Sequence, residues 1–256
     1  MRARAAVVAA ILLGAVALPR AAAAADQSGY LSAYALRDAH YDDAVLAVDA
    51  TESLGDAQRR IRPFYELAYT RDTRVAGGPL PRTFADSYVL GAMGLQAQYA
   101  DGLRLFAQLG LSGRLGEAPV NAAPRSGSDF RGGVQLYRDW SVATGSPGRI
   151  ASLYGSAQYY SRYGDAIAYL QAERGIAFGR GRTTDVYARL TLTADTLGYY
   201  YDNVAELGVG VRLHPFGAYA PSIALEGFGG RYLRAGSPNG ATYFDLRPTL
   251  TLGFSF

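Results

Sequence analysis

Two histidines and a set of scattered carboxylates are the residues of this chain that suit acid–base or nucleophilic chemistry. His40 and His214 are its only histidines, and the sequence has no cysteine. A hydrolytic site needs a His held beside an Asp or a Ser. No acid neighbours His214, which precedes Pro215, so this histidine is expected at the rim of a strand. We therefore expect no enzyme and no cofactor or metal, with a hydrolase at a barrel rim as a third alternative.

The remaining charges alternate with apolar residues. Residues 205–213 read AELGVGVRL, in which every second residue is apolar and the others include Glu206 and Arg212. This period of two predicts a strand with one apolar and one polar face. Segments 103–111, 186–193 and 244–256 repeat it. Their polar faces carry Gly, Ser, Thr, Gln and isolated charges, which suit a narrow lumen behind a lipid-facing exterior.

By this alternation the lumen receives charges of both signs, which are Arg62, Glu66, Arg104, Arg131, Glu173, Arg189, Glu206, Arg212, Glu226, Asp245 and Arg247. Mixed signs predict an ion-pair network that closes a thin bore, because selective pores favour rings of one sign. A narrow polar passage is the alternative. Glu206 and Arg212 lie about 20 Å apart along one strand face, so each needs partners on neighbouring strands. Arg189 and Glu226 are the expected partners.

The fold class that follows is all-β: an antiparallel outer-membrane β-barrel of about ten strands, with twelve as the alternative. The candidate strands are 60–74, 84–100, 103–117, 129–142, 150–161, 166–179, 184–195, 204–216, 222–233 and 241–256. A tight Asp101-Gly102 turn is expected on the periplasmic side and the longer loops outside. Aromatic girdles at the membrane interfaces are expected from Trp140, Tyr154, Tyr159, Tyr160, Tyr163, Tyr199, Tyr200 and Tyr201.

The segments before the barrel differ in character. Residues 1–25 combine Arg2 and Arg4, an apolar run and a small-residue cleavage site, which predicts a signal peptide and export. Residues 26–58 are expected to form a periplasmic helical lead, a remnant of a tetratricopeptide-like hairpin, and residues 59–256 the barrel. The helical period rests on Leu36, Tyr41, Ala44, Val45 and Val48.

The final residues, TLTLGFSF, alternate to the last position. Leu252, Phe254 and Phe256 share the lipid-facing side of this strand. The strand must pair with the first one, because an open sheet edge cannot lie in hydrocarbon. By resemblance to outer-membrane barrels, these residues are expected to be the signal read by the barrel-assembly machinery.

Residues 199–213, YYYDNVAELGVGVRL, resemble a recurring stretch in the C-terminal outer-membrane domain of the bacteriophage N4 adsorption protein A family. The matching residues are Tyr201, Asp202, Asn203, Glu206, Gly208, Gly210 and Arg212. The resemblance implies a surface receptor, exopolysaccharide secretion, or both, with an inner-membrane glycosyltransferase system as partner. A small passive pore is the alternative. The arginines are scattered, so no nucleic-acid partner is expected.

Overall fold

The computed structural model describes residues 28–39, 43–56, 58–73, 87–115, 126–142, 147–179, 182–197, 203–216, 221–234 and 242–255. These residues form a closed antiparallel barrel of twelve strands, in which each strand pairs with its sequence neighbours and β12 pairs with β1. The strands are β1 (Ser28–Asp38), β2 (Asp43–Ser53), β3 (Ile61–Asp72), β4 (Tyr88–Ala100), β5 (Leu103–Arg114), β6 (Gly127–Asp139), β7 (Gly148–Tyr160), β8 (Asp165–Phe178), β9 (Thr184–Asp195), β10 (Val204–Leu213), β11 (Ser222–Tyr232) and β12 (Thr242–Ser255). The predicted barrel class is confirmed, and the strand number is the twelve held as the alternative.

The predicted helical lead is wrong, because β1 and β2 occupy most of that segment and the barrel begins at Ser28. β1 pairs with both β2 and β12, so it closes the sheet. The apparent helical period arose because apolar residues lie on both faces of these strands. Leu36 and Val45 face the lumen, whereas Ala44 and Val48 face outward. The predicted signal peptide lies outside the described residues and stays a prediction.

The outward face of the barrel is apolar and exposed. Met93, Leu111 and Leu207 are 66%, 70% and 64% exposed. Water would oppose so many exposed apolar side chains, whereas the hydrocarbon of a bilayer solvates them. A closed sheet also leaves no unpaired backbone edge in that medium. This exterior and the even strand number are those of outer-membrane barrels. No helix in the described part of the chain is long and apolar enough to cross a membrane.

The connections differ between the two ends of the barrel. One end, here called the loop end, carries residues 39–42, 73–87, 115–126, 161–164, 196–203 and 233–241. The opposite turn end carries residues 54–60, 101–102, 140–147, 179–183 and 214–221. The predicted two-residue turn at Asp101-Gly102 is present, and Gly102 adopts a φ of 72° that suits glycine. Short periplasmic turns and longer outer loops are the usual arrangement, so the loop end is the expected extracellular end.

The predicted aromatic girdle is divided between the two faces. Tyr159 faces outward and Trp140 follows β6, and both are exposed. Tyr154 and Tyr160 instead face the lumen, where they pair in register with Tyr137 and Arg131. A position shifted by one residue in a strand changes face, so clustering along the sequence did not identify the lipid-facing tyrosines. Tyr199, Tyr200 and Tyr201 lie outside the described residues.

Candidate functional site: the charged lumen

The strands sort charged residues by face. Within the described strands, the pairing registers place fourteen carboxylates and seven arginines on the inward face. The carboxylates belong to Asp38, Asp43, Asp49, Glu66, Asp72, Asp129, Asp139, Asp165, Glu173, Asp185, Asp195, Glu206, Glu226 and Asp245. The arginines are Arg62, Arg104, Arg114, Arg131, Arg189, Arg212 and Arg247. All eleven charges assigned to the lumen from the sequence are among them.

One ion-pair network spans β8 to β11. Arg189 donates to Glu173 (Nη2 to Oε2, 2.9 Å) and contacts Glu226 (Nη1 to Oε1, 2.7 Å). Arg212 also reaches Glu173 (Nη2 to Oε2, 2.8 Å) and lies 3.7 Å from Asp185. Glu173 therefore bridges two guanidinium groups from different strands. Paired charges of this kind lower the desolvation penalty that each would incur alone.

A second network joins β12, β10 and β1. Arg247 donates two hydrogen bonds to Glu206, one through Nη1 at 2.9 Å. Its Nε lies 3.1 Å from Asp38 and also contacts Asp245. The expected pairing of Glu206 with Arg189, and of Arg212 with Glu226, is wrong. Glu206 lies in register with Gly230 on β11, so nothing on that strand blocks its reach to β12.

A third network lies on the wall formed by β3 to β6. Arg131 contacts Asp129 (Nη2 to Oδ2, 3.0 Å) and Glu66 (Nη1 to Oε1, 3.6 Å). Gln108 donates to the other Glu66 oxygen at 2.7 Å. The Arg131 guanidinium also lies over the rings of Tyr88 and Tyr160, at 5.4 and 5.1 Å from their centroids. Cation–π contacts of this geometry attract the Arg131 guanidinium to the two rings and hold it against the lumen wall.

In the motif at residues 199–213 that resembles the adsorption protein A family, the described residues have structural roles. Glu206 is ion-paired with Arg247, and Arg212 with Glu173. The two glycines between Glu206 and Arg212 make room for side chains of neighbouring strands. A Cβ at Gly208 would lie 2.4 Å from Phe228, and one at Gly210 would lie 2.8 Å from the Tyr187 ring. The described part of the motif is thus a packing arrangement of the lumen wall.

Asn203, which begins the described part of that motif, has a φ of 50° and accepts a hydrogen bond from the Asp195 backbone N–H at 2.7 Å. It fixes the entry into β10 from the loop. Tyr201 and Asp202 lie outside the described residues.

The closing strand places the predicted assembly signal at the seam. Leu252 pairs in register with Ala33 of β1, and Phe254 pairs with Leu31. Leu252 shares its outward face with Leu250, which is exposed. Phe256 lies outside the described residues. Recognition of this strand by the assembly machinery stays a prediction.

Sequence reasoning missed an acid beside His214 at the turn end. The His214 Nε2 lies 2.8 Å from Asp185 Oδ2, an acid of the neighbouring strand β9. The other ring nitrogen, Nδ1, is buried and has no hydrogen-bond partner among the described residues. A His–Asp pair would need a hydroxyl at that nitrogen to complete a hydrolytic triad. His40, the other histidine, lies outside the described residues.

Aspartates concentrate at the loop-end mouth. Six inward aspartates are the first, third or last residue of their strand at this end: Asp38, Asp43, Asp72, Asp129, Asp165 and Asp195. The sequence pattern placed Asp38 and Asp43 in the helical lead and the other four at or near predicted strand ends, so their inward direction was not predicted. Within the described residues, no three His, Asp or Glu side chains converge into a metal-binding group. Arg114 ends β5 at this mouth, and the buried Arg162 donates to Ser112 at 3.1 Å, so the mouth carries charges of both signs with carboxylates in excess.

The lumen wall retains exposed surface. The side chains of Arg189, Arg212 and Arg247 keep between 16% and 19% of their surface, despite their ion pairs. Tyr34 faces inward from β1 and is 40% exposed. A Cβ added at Gly253, on the inward face of β12, would meet nothing within 4 Å. The side chains thus line a space that water can reach.

Comparisons with known proteins concern the barrel shape. No family model and no curated protein matches the chain. Among solved structures, the NanC porin aligns at a TM-score of 0.43 and 10% identity, over 87% of this chain and 98% of that chain. The β domain of the Bordetella autotransporter BrkA aligns at 0.42 and 13% identity, over 88% and 98%. The KdgM porin aligns at 0.40 and 8% identity, over 89% and 99%. The barrel assignment rests on the strand pairing and the apolar exterior described above.

Proposed function

We propose that the protein is an outer-membrane barrel whose lumen is a narrow passage for small cations and neutral polar solutes. The observation that carries this proposal is the twofold excess of carboxylates over arginines on the inward face. The excess is concentrated at the mouth that a solute meets first. A mouth with a net excess of one sign of charge raises the local concentration of counter-ions and repels ions of the same sign.

The ion pairs support a lined passage more than a plug. Glu173 joins β8 to β9 and β10, Arg247 joins β12 to β10, and Arg131 joins β6 to β3. These contacts follow the wall across one to three strand positions, whereas the opposite wall of a twelve-stranded barrel is six strands away. Eight-stranded barrels are filled by side chains and sixteen-stranded barrels hold an aqueous channel. A barrel of twelve strands leaves a bore between these limits.

Reversal potentials of the purified protein in planar bilayers, measured across a potassium chloride gradient, test the proposal. We expect currents that favour potassium over chloride. The inward Asp139 is exposed and accepts a hydrogen bond from the Ser141 backbone N–H at 2.7 Å, without an arginine in that contact. Asp139→Asn should therefore shift the reversal potential toward chloride while leaving the barrel folded.

Asp101→Asn is the matched control, because Asp101 lies in an exposed turn outside the bore. It should leave the reversal potential unchanged. A folded wild-type barrel that carries no current, or one that prefers chloride, would overturn the passage. An equal shift from both variants would overturn the role of the lumen carboxylates.

The second candidate is the receptor or exopolysaccharide-secretion role implied by the resemblance. It is supported by the ion pairs of Glu206 with Arg247 and of Arg212 with Glu173, and by the packing of neighbouring side chains over Gly208 and Gly210. These contacts give the motif a specific structure. Its partners would be outer-membrane lipid, the barrel-assembly machinery and an inner-membrane glycosyltransferase system. An acid-rich lumen repels polyuronates, so a secreted glycan would be neutral. Unchanged polysaccharide secretion and phage adsorption in a deletion strain would exclude this role.

A further inference from the structure

The exterior of the barrel has its own charge pattern. Within the described strands, the outward face carries six arginines and one carboxylate: Arg37, Arg71, Arg138, Arg149, Arg174, Arg231 and Glu52. Every basic residue of the chain is arginine. The charge that faces lipid is thus positive, opposite to the net charge of the lumen wall.

The outward arginines form two groups at opposite ends. Arg37, Arg71 and Arg231 are each the second-to-last residue of a strand at the loop end. They lie on the wall from β11 through β1 to β3. The other three lie toward the turn end of β6 to β8, on the opposite wall. Arginines where strands leave the hydrocarbon lie at headgroup depth.

An apolar groove runs below two of the loop-end arginines. Its volume is about 590 Å³, and its outward lining includes Ala35, Leu46, Ile223 and Leu250. Arg37 and Arg71 also line it. The depression exists because the small Ala35 lies in register between the larger Leu46 and Leu250 on the flanking strands. An apolar groove that ends at two guanidinium groups fits an acyl chain joined to an anionic headgroup.

The two arginines are close enough to serve one headgroup. Arg71 pairs with Leu46 of β2, and Arg37 pairs with Ala44 of the same strand. Two strand spacings and this two-residue offset along the strands place the two backbone positions about 12 Å apart. Arg71 donates one hydrogen bond, from Nη1, to the Leu115 backbone oxygen at 3.0 Å, which draws its side chain toward the loop end and toward β5, on the side away from Arg37. A guanidinium has five N–H groups and binds phosphate in a bidentate fork.

We propose that Arg37, Arg71 and the groove below them bind one phosphate-bearing glycolipid of the outer leaflet, with the arginines on its phosphate groups and an acyl chain in the groove. The proposal rests on the outer-membrane placement proposed above, which puts the loop end outside. Every strand of the closed barrel is hydrogen-bonded to a neighbour on both sides, so a peptide cannot bind here by adding a strand. Two positive charges above an apolar groove favour the binding of an anionic amphiphile.

Native mass spectrometry of the purified barrel, titrated with bisphosphorylated lipid A, tests this site. The variant Arg37→Gln/Arg71→Gln keeps an unbranched, hydrogen-bonding side chain at both positions and removes both charges. The matched control is Arg149→Gln/Arg174→Gln, which removes two outward arginines near the turn end of the opposite wall. We expect at least tenfold weaker lipid A binding for the loop-end variant and wild-type binding for the control. Dephosphorylated lipid A should bind the wild type as weakly as lipid A binds the loop-end variant.

Three results would overturn the proposal. Equal losses in the two double variants would show that any outward arginine suffices. Equal binding of the dephosphorylated lipid would leave only the apolar groove. Equal competition by phosphatidylglycerol would show a general phospholipid contact. Heat-modifiable migration of each variant on gels verifies the folded barrel. A wild type that binds lipid A but carries no current separates failure of the passage from failure of this site.

Discussion

Replacing Gly208 with alanine tests whether the lumen wall is as tightly packed as the structure shows. Gly208 lies on the inward face of β10, in register with Phe228 of β11. An added Cβ would lie 2.4 Å from Phe228 Cδ1 and 2.6 Å from the Gly227 backbone oxygen. Phe228 is 2% exposed, and the Arg247 guanidinium lies 4.9 Å from its ring centroid. The methyl group would therefore disturb both the packing and the second ion-pair network.

The cost follows from these distances. Ordinary carbon contacts are about 3.5–4.0 Å, so Phe228 must shift by about 1 Å or more. Overpacking of a filled site costs about 1–3 kcal/mol. The contact with the Gly227 oxygen involves backbone that is paired to β10, which cannot yield without weakening the strand pairing. We therefore expect a loss of about 2–3 kcal/mol in the free energy of unfolding.

Urea unfolding from lipid vesicles provides the measurement, followed by fluorescence of the single tryptophan, Trp140. Gly229→Ala is the matched control, because Gly229 faces outward on the next strand and its nearest neighbour, the Leu207 oxygen, is 4.0 Å away. The control should be neutral or more stable, since alanine reduces the freedom of the unfolded chain by about 0.4–1 kcal/mol. A Gly208→Ala barrel as stable as the Gly229→Ala barrel would refute the packing described here.

Three further predictions address the charge network, the lipid face and the first two strands. Glu206→Gln removes a buried charged acceptor and should cost about 1.5–3 kcal/mol in vesicle unfolding, with wild-type stability as the contradicting result. Leu207→Arg should cost about 2–4 kcal/mol if this side chain faces mid-bilayer lipid, whereas Leu233→Arg beyond β11 should cost little; equal costs would argue against the membrane face. Deleting residues 28–53 should abolish heat-modifiable migration, because β3 and β12 would each be left with one unpaired edge, and a surviving ten-stranded barrel would return these residues to an accessory role.

The alternation of side chains predicted ten of the twelve strands, with ends within a few residues of those observed. It succeeded where the outward face is fully apolar and the inward face polar, as in β10, for which residues 204–216 were predicted and Val204–Leu213 observed. It failed for β1 and β2. There, Leu36 and Val45 face the lumen among polar neighbours, and small alanines occupy outward positions. A strand with apolar residues on both faces loses the period of two and can mimic a helical period.

The lumen partners were harder to predict than the lumen direction. Parity gives the face of a residue, but ion pairs depend on which neighbouring positions are empty. Glu206 reaches β12 because Gly230 lies between them, where the Tyr243 ring fills the space that a Cβ would need. Nothing in the sequence of β10 alone indicates that gap. The pairing register between strands is needed, and it is set by the closed barrel as a whole.

The formal net charge of +3 conceals two surfaces of opposite sign. Alternation along each strand assigns most carboxylates to the lumen and a set of arginines to the exterior, so the composition reports neither surface. Adjacent residues of a strand face the lumen and the lipid in turn. Ion passage through the lumen and lipid binding on the outer face can therefore be tested by substituting different residues. Asp38 faces the bore beside Arg37, which faces lipid. Substitution of Asp38 should act on the lumen network through Arg247 and substitution of Arg37 on lipid binding, although the two side chains leave neighbouring backbone positions.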